Sequence, residues 1–443
     1  MRYFFLFVIP VLFTACSANK NEKEPTSEIA LSDDSLLTLV QYKTFQYFWD
    51  GAEPTSGAAR ERIHADHVYP ENDQNIITSG GTGFGVMAIL VGIERKFITR
   101  EQGFERLNKL VNWLEKADRF HGAWPHWLNG ETGKVKPFSP NDDGGDLVET
   151  SYLLQGLICV REYFKNGNEA EKALAAKIDT LWREVEFDWY RNGKNVLYWH
   201  WSPKNQWKMN FPVEGYNECL IMYFLAAGSP THGIPAEVYH EGWARKGAIR
   251  NDSTHQQYGY HLSLKHNGAQ QFGGPLFWSH YSFLGLDPRN LKDQYADYWE
   301  HNRNHTLINR QYCLENPKNF KGYGENCWGL TASYSINGYA AHSPTEDLGV
   351  ISPTAALSSF PYTPEESMKV VRHLYEDLGD KVFGEYGFYD AFSEQENWYL
   401  PRYLAIDQGP AVVMIENHRT GLLWNLLMSA PEVQVAKTTL GFK

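Results

Sequence analysis

Asp146-Leu147-Val148-Glu149-Thr150-Ser151-Tyr152-Leu153-Leu154-Gln155-Gly156-Leu157-Ile158-Cys159-Val160 decides the fold. The stretch opens on a capping residue and is then apolar on nearly every side of a helical turn. A helix made from it must therefore be covered on every side. Five other stretches share this character: Thr82 to Ile93, Glu214 to Ala227, Pro275 to Leu286, Asn326 to Asn337 and Gln408 to Met428. Between them lie helices of a second kind, charged and one-sided. Thr99-Arg100-Glu101-Gln102 predicts a capping box ahead of a stripe of Phe104, Leu107, Leu110, Val111 and Leu114. Thr363-Pro364-Glu365-Glu366 predicts a second such start, with proline at the first helical position. Ser35 to Trp49, Asn168 to Trp189 and Asn290 to Glu315 read the same way. Buried helices alternating with one-sided ones predict an all-α (α/α)6 toroid, an inner ring inside an outer ring. A small β-hairpin is predicted near Trp189 to Trp207, turning on Asn192-Gly193. No fixed-period repeat supports the competing superhelical array.

The first residues read as an address. Arg2 precedes an apolar run from Tyr3 to Leu12, and Phe13-Thr14-Ala15-Cys16 closes it on small residues and a cysteine. The run is too short for a spanning helix and suits a cleaved signal peptide over residues 1–16. Thr-Ala-Cys resembles a bacterial lipobox, with Cys16 the lipidated residue and Phe13 in place of the usual leucine. Residues 17–30 suit a flexible tether. The expected location is the periplasm or outer membrane of a Gram-negative cell, with the lipid as the one membrane contact. No linker or charge block divides residues 31–443, which reads as a single domain. A repetitive architecture is what lets one domain grow so large. A formal net charge of −12 argues against nucleic acid and polyanionic partners. Cys159, Cys219, Cys313 and Cys327 are far apart in apolar surroundings and are expected to be buried free thiols. A monomer without cofactor or metal is expected.

The connections entering the inner helices are long and aromatic, above all His121 to Gly145 with Trp124, Trp127 and Phe138. Such loops are usually functional, and in a toroid they converge on one end of the inner ring. At that end the sequence concentrates carboxylates. Asn141 to Glu149 carries Asp142, Asp143, Asp146 and Glu149, with Asp146 and Glu149 on one helical face. Helix capping accounts for Asp146 and Glu149 equally well, but not for Asp142. Glu214 and Glu218 form a second group, and Glu218 heads a strongly apolar run. A buried carboxyl there pairs with a cation or stays protonated, as a general acid must. Asp407 precedes the last inner helix, where capping again competes with catalysis. Glu325, Glu385, Asp390 and Glu396 are candidates for sugar hydroxyls or for solvated surface. Aromatic residues make up 15% of the chain. Trp124, Trp127, Trp199, Trp201, Trp207, Trp278, Trp328 and Trp398 are candidate platforms for pyranose faces, with core packing the alternative for each. An acidic, aromatic cleft suits a neutral carbohydrate.

Other motifs lead nowhere. Gly81-Thr82-Gly83-Phe84-Gly85 lacks the strand that a dinucleotide site needs. His301-Asn302-Arg303-Asn304-His305 has zinc-like spacing without the glutamate of a zinc protease and reads as a surface helix. No G-x-S-x-G elbow is present, which argues against an esterase.

Ile76 to Gly83, Asn141 to Glu149, Glu214-Gly215-Tyr216-Asn217-Glu218 and Gly384-Glu385-Tyr386-Gly387, in this order, resemble the bacterial glucoamylase-like domain. Within it the chain is most similar to glycoside hydrolase family 144, the β-1,2-glucanases, over roughly Leu31 to Met428. The resemblance implies an (α/α)6 barrel and inverting hydrolysis of β-1,2-glucan. It also implies a catalytic acidic set at Asp142, Asp146, Glu149, Glu218 and Asp407. Glu218 as general acid and Asp407 as base is the working assignment within that set, and the residue reading, apart from the resemblance, puts Glu214, Trp124, Trp127, Trp201, Trp328, Glu385 and Trp398 around the sugar. Three other readings stay open: another glucan linkage, a polysaccharide lyase, and a glycan-binding lipoprotein without turnover.

Overall fold

The computed structural model describes residues 31–268 and 271–443. The expected signal peptide, the expected lipidation at Cys16 and the expected tether fall outside the described residues.

Outer and inner helices alternate along the chain. They begin with α1 (Asp33–Trp49, outer), α2 (Ser79–Glu94, inner), α3 (Arg100–Leu114, outer), α4 (Leu147–Phe164, inner), α5 (Glu169–Arg183, outer) and α6 (Leu220–Gly228, inner). The fourth pair is reduced to a π-helical turn, Val238–Trp243, and two 3-10 turns, Leu276–Ser279 and Tyr281–Leu284. The last two pairs are α7 (Tyr298–Glu315) with α8 (Pro353–Leu357), then α9 (Pro364–Arg372) and, after the single turn α10 (Gly379–Val382), α11 (Ala405–Arg419). α12 (Leu422–Met428) and α13 (Pro431–Leu440) pack back on α4 and α6. The ring closes where α11 lies against α2, and α2 against α4, α4 against α6. Inner helices are buried on all faces, as α2 is from Ser79 to Ile93. This burial is the physical origin of the two-ring architecture. Among the described residues no helix is long and apolar enough to cross a membrane.

The tightest inner contact depends on glycine. A Cβ on Gly83 of α2 would sit 2.2 Å from the Tyr152 carbonyl oxygen, and one on Gly156 of α4 would sit 2.1 Å from the Gly83 carbonyl oxygen. The two backbones therefore approach with nothing between them.

Several sequence expectations change in the fold. Asn326 to Asn337 is not an inner helix: Ala332–Ser335 pairs antiparallel with Gly338–Ala341 across Ile336-Asn337. The inner element there is α8, too short to show a helical period. Pro275 to Leu286 is two 3-10 turns interrupted at His280. Gln408 to Met428 is broken at Gly421, in the left-handed region at φ 72°. Glu214 to Cys219 is irregular, and the helix starts at Leu220. α7 starts at Tyr298, behind an Asp297 cap. The hairpin at Trp189 to Trp207 is absent, because His200–Trp201 pairs with Gly145–Asp146 instead. The Thr99 capping box forms, but Thr363 makes no side-chain cap.

The His301 to His305 segment is helical yet not at the surface. His301 and His305 are fully buried, with His301 Nε2 2.8 Å from His266 Nε2 and His305 Nδ1 2.8 Å from Ser279 Oγ. Polar residue types read as exposed because their partners lie 26 or more residues away. The four cysteines in the described residues are buried free thiols, as expected.

Candidate active site

The helix starts of the inner ring converge on a cavity of about 400 Å³. Short sheets hold its rim. Ile76–Thr78, Trp127–Asn129 and Val135–Lys136 form one, pinning the aromatic loop to the start of α2. Arg62–His64 pairs with Arg402–Leu404, joining the first loop to the start of α11. The walls are aromatic. Phe138 stacks on His126 at 4.2 Å and meets Trp127 edge-on, Trp199 stacks on Phe211, and Tyr334 meets Tyr339 on their hairpin. Trp127, Phe138, Trp199, Phe277, Tyr281, Tyr334 and Tyr339 line the space.

Three carboxyl groups face it: Glu61, Glu149 and Glu218. Glu149 sits one turn into α4 and accepts hydrogen bonds at Oε2 from the Gly80 N–H (2.8 Å) and the Thr78 hydroxyl (3.3 Å). A Cβ on Gly80 would lie 2.5 Å from that oxygen, so only glycine leaves room for the carboxylate. Glu218 comes from the irregular segment before α6, its carbonyl held by the Ser282 hydroxyl and by Tyr152 Oη at 3.4 Å. Burial, reinforced by the charges of Glu149 and Asp146, pushes the Glu218 carboxyl up to about 7. Glu61 is also raised by burial, against the pull of the Arg62 guanidinium beside it.

Asp146 has two functions. It caps α4, accepting the Glu149 N–H at 2.9 Å, and its other oxygen takes Trp199 Nε1 at 2.9 Å and His126 Nδ1 at 3.0 Å. Ligand atoms of His126, Asp142 and Asp146 lie within 4.8 Å of one another. Burial alone would push His126 down, but Glu149, Asp146 and Asp142 raise it to about 9. Burial and the charge of Asp146 push Asp142 up to about 7.

Asp407 does not cap its helix, since Leu404 holds that position. Its buried carboxyl meets Asp390 in a side-chain hydrogen bond, and Asp390 Oδ2 accepts the Tyr334 N–H at 2.9 Å. Among the described residues Asp390 Oδ1 and Asp407 Oδ2 have no other partner. Two adjacent buried carboxyl groups cannot both ionise, so the pair holds one proton. Burial and Asp390 push Asp407 well above the carboxylate range, while Asp390 is raised to about 6.

The other sequence candidates lie elsewhere. Trp124 is fully buried, donating Nε1 to the Leu114 carbonyl, and Trp328 is buried in the core around α8. Neither presents a face to sugar. Trp201 packs edge-on to His121 and Trp189, and Trp398 lies in a two-residue strand; neither lines the cavity. Glu214 pairs with Arg245 at 3.3 Å, and Glu385 sits 3.5 Å from His67. Glu325 pairs with Lys369. Sequence reasoning missed Glu61, Arg62, His126, Tyr334 and Tyr339 as cavity residues. His126 lay within the loop already singled out. Tyr334 was hidden by the helical reading of Asn326 to Asn337, and Tyr339 lies just beyond it on the strand that this reading left out.

The pattern of the family described as "Putative glucoamylase" matches residues 210–431. The structure of an endo-β-1,2-glucanase from Chitinophaga pinensis, in complex with sophorotriose and glucose, is 70% identical. Its TM-score is 0.92, over 94% of this chain and 99% of that one. The chain belongs to the glucoamylase-like family, glycoside hydrolase family 144. A curated family relative from Parabacteroides distasonis, an exo-β-1,2-glucooligosaccharide sophorohydrolase acting at the non-reducing end, is 45% identical over 96% of this chain. The chain spans 60% of that protein's length. A β-1,2-glucanase structure from the same organism superposes with a TM-score of 0.87 at 45% identity, over 93% of this chain and 60% of that one. The (α/α)6 toroid is the fold of this family.

Proposed function

We propose that the protein is an inverting hydrolase of β-1,2-glucan that cuts within the chain. The observation that carries this reading is the Glu218 carboxyl, held protonated near neutrality at an aromatic-walled cavity. A carboxylic acid of that kind can protonate the glycosidic oxygen as the bond to the anomeric carbon breaks. Aromatic faces suit pyranose rings, while Glu61, Glu149, Arg62 and His126 suit their hydroxyls. The linkage follows the relatives' activities, and the internal cut follows the relative at 70% identity rather than the one at 45%. Incubation with linear β-1,2-glucan tests both. A spread of oligosaccharides early in the reaction supports internal cleavage, disaccharide alone supports exo action, and no products would end the proposal.

The Asp390–Asp407 pair does not itself line the cavity but adjoins two residues that do, Ile406 in sequence and Tyr334 through its N–H, and it supplies the base. Water, or water acting through a substrate hydroxyl, gives its proton to the pair's single negative charge as it attacks the anomeric carbon. The pair must have lost one proton and Glu218 must keep its own. Activity is therefore expected to rise with pH through about 6, where Asp390 titrates, and to fall through about 7, where Glu218 does. A kcat/KM profile flat from pH 5 to 8 (roughly one unit beyond each limb) would contradict the assignment.

The Asp390→Asn substitution separates the two members of the pair. It removes the carboxyl that titrates on the acid limb and leaves Asp407, which burial by itself still raises, so the acid limb is expected to move up and the profile to narrow, with activity retained near neutrality. Loss of activity at every pH, with the fold intact by circular dichroism, would make Asp390 itself the base.

Export, lipid attachment at Cys16 and a monomeric state complete the proposal. Partition of the wild type into detergent, with Cys16→Ser in the aqueous phase, is the expected result for the anchor.

A further inference from the structure

On the outer wall three separate segments bring together a thiol, an imidazole and a carboxylate. Cys327 comes from the loop after α7, His373 from the residue following α9, and Glu394 from the hairpin of Phe392–Ser393 with Trp398–Tyr399. None of them lines the cavity. One ligand atom of each lies within 4.8 Å of those of the other two. Cys327 is buried, and His373 and Glu394 are half-buried.

The surroundings favour a cation. His373 Nδ1 lies 2.7 Å from Asp377 Oδ2, one turn along. The carboxylate fixes the proton on Nδ1 and leaves the Nε2 lone pair free, an arrangement that recurs behind metal-bound histidines. Among the described residues Glu394 has no salt bridge, and burial, reinforced by the Glu394 charge, pushes the Cys327 thiol up. Three electron-pair donors thus converge, and among the described residues no Lys or Arg pairs with the Glu394 carboxylate. A metal ion would remove that repulsion and stabilise the thiolate.

We propose that Cys327, His373 and Glu394 form a site for a divalent cation of the zinc class, bound through sulfur, nitrogen and oxygen. Water fills the fourth tetrahedral position on the exposed side. Thiolate ligation selects such an ion over magnesium or calcium. On binding, the thiol proton passes to solvent and the sulfur–metal bond forms, so affinity increases with pH. The ion would tie the end of α9 to the hairpin lying between Asp390 and the strand Arg402–Leu404, and so brace the segment that presents Asp390 and Asp407.

The test is titration of the full chain with Zn(II) alone, followed by calorimetry and thermal melting, with Co(II) as a spectroscopic probe. Expected are one equivalent bound, a rise in Tm of about 3 °C at ~100 times Kd, and a thiolate-to-cobalt charge-transfer band. Glu394→Gln is expected to weaken binding by about tenfold or more, and Cys327→Ser to abolish the band. The Glu394 side chain makes no hydrogen bond or salt bridge among the described residues, so its variant stays informative even where a Cys327 variant folds poorly. Absence of saturable binding would overturn the proposal. So would one-to-one binding undiminished in Glu394→Gln and Cys327→Ser, which would place the ion elsewhere, for instance among His126, Asp142 and Asp146.

Discussion

Glu218→Gln is expected to lower kcat on β-1,2-glucan by about 10³-fold, with KM and Tm nearly unchanged. The amide keeps the size of the acid and its backbone contacts to Ser282 and Tyr152, but it has no proton to give the leaving oxygen. Because burial already holds the wild-type carboxyl protonated below about pH 7, a neutral amide adds no new desolvation cost there. The loss therefore belongs to the chemical step rather than to folding. Two further readouts separate an acid from a binding group. The alkaline limb of the pH profile should disappear from the residual activity. A substrate with a good leaving group, such as an aryl glycoside, should recover most of the rate, since it needs no protonation. Near-normal turnover of β-1,2-glucan by a folded Glu218→Gln variant would remove Glu218 from the mechanism.

Gly156→Ala is expected to cost about 2–4 kcal/mol and to lower Tm by roughly 3–5 °C. The new methyl would sit 2.1 Å from the Gly83 carbonyl oxygen and 2.7 Å from Val86 Cγ2. A backbone oxygen inside a buried helix cannot rotate away, so α2 and α4 must move apart along their shared face. The gain in helix propensity, about 1 kcal/mol for alanine over glycine, does not offset that. The displacement also reaches the site, because the Gly80 N–H of α2 binds the Glu149 carboxylate of α4 at 2.8 Å. Activity should fall together with stability. Gly379→Ala is the control: among the described residues nothing lies within 4 Å of its added methyl, and the melting curve should not move. A Gly156→Ala variant as stable as wild type would mean that the inner ring is looser than this packing allows.

The Asp390–Asp407 pair illustrates what residue order conceals. Each carboxylate had a plausible local reading, a cap for one and a surface contact for the other. Their partnership crosses 17 positions and depends on a loop returning to the start of α11. The same holds for His301 and His305, whose residue types suggested a solvated helix while His266 and Ser279 make them a buried polar network. Trp124 and Trp328 fail as platforms for the opposite reason: a loop tryptophan is exposed only where no neighbouring helix covers it, and both are covered.

By itself the sequence determined the two-ring helical toroid, through helices apolar all round set between helices apolar on one side. That pattern is a local record of burial, written at every turn of every long element. It also placed Asp142, Asp146, Glu149, Glu218 and Asp407 near inner-helix starts, and it singled out Glu218 because no cap or charge nearby explains a carboxylate in so apolar a run. Tertiary structure alone decided what these groups do. It set the protonation of Glu218 through burial and joined Asp407 to Asp390. It placed His126 among three carboxylates and made a hairpin where the apolar pattern predicted a helix. Period and composition specify that a residue is buried; its electrostatic environment is made by partners distant in the chain, and only the closed ring brings them within a few ångströms.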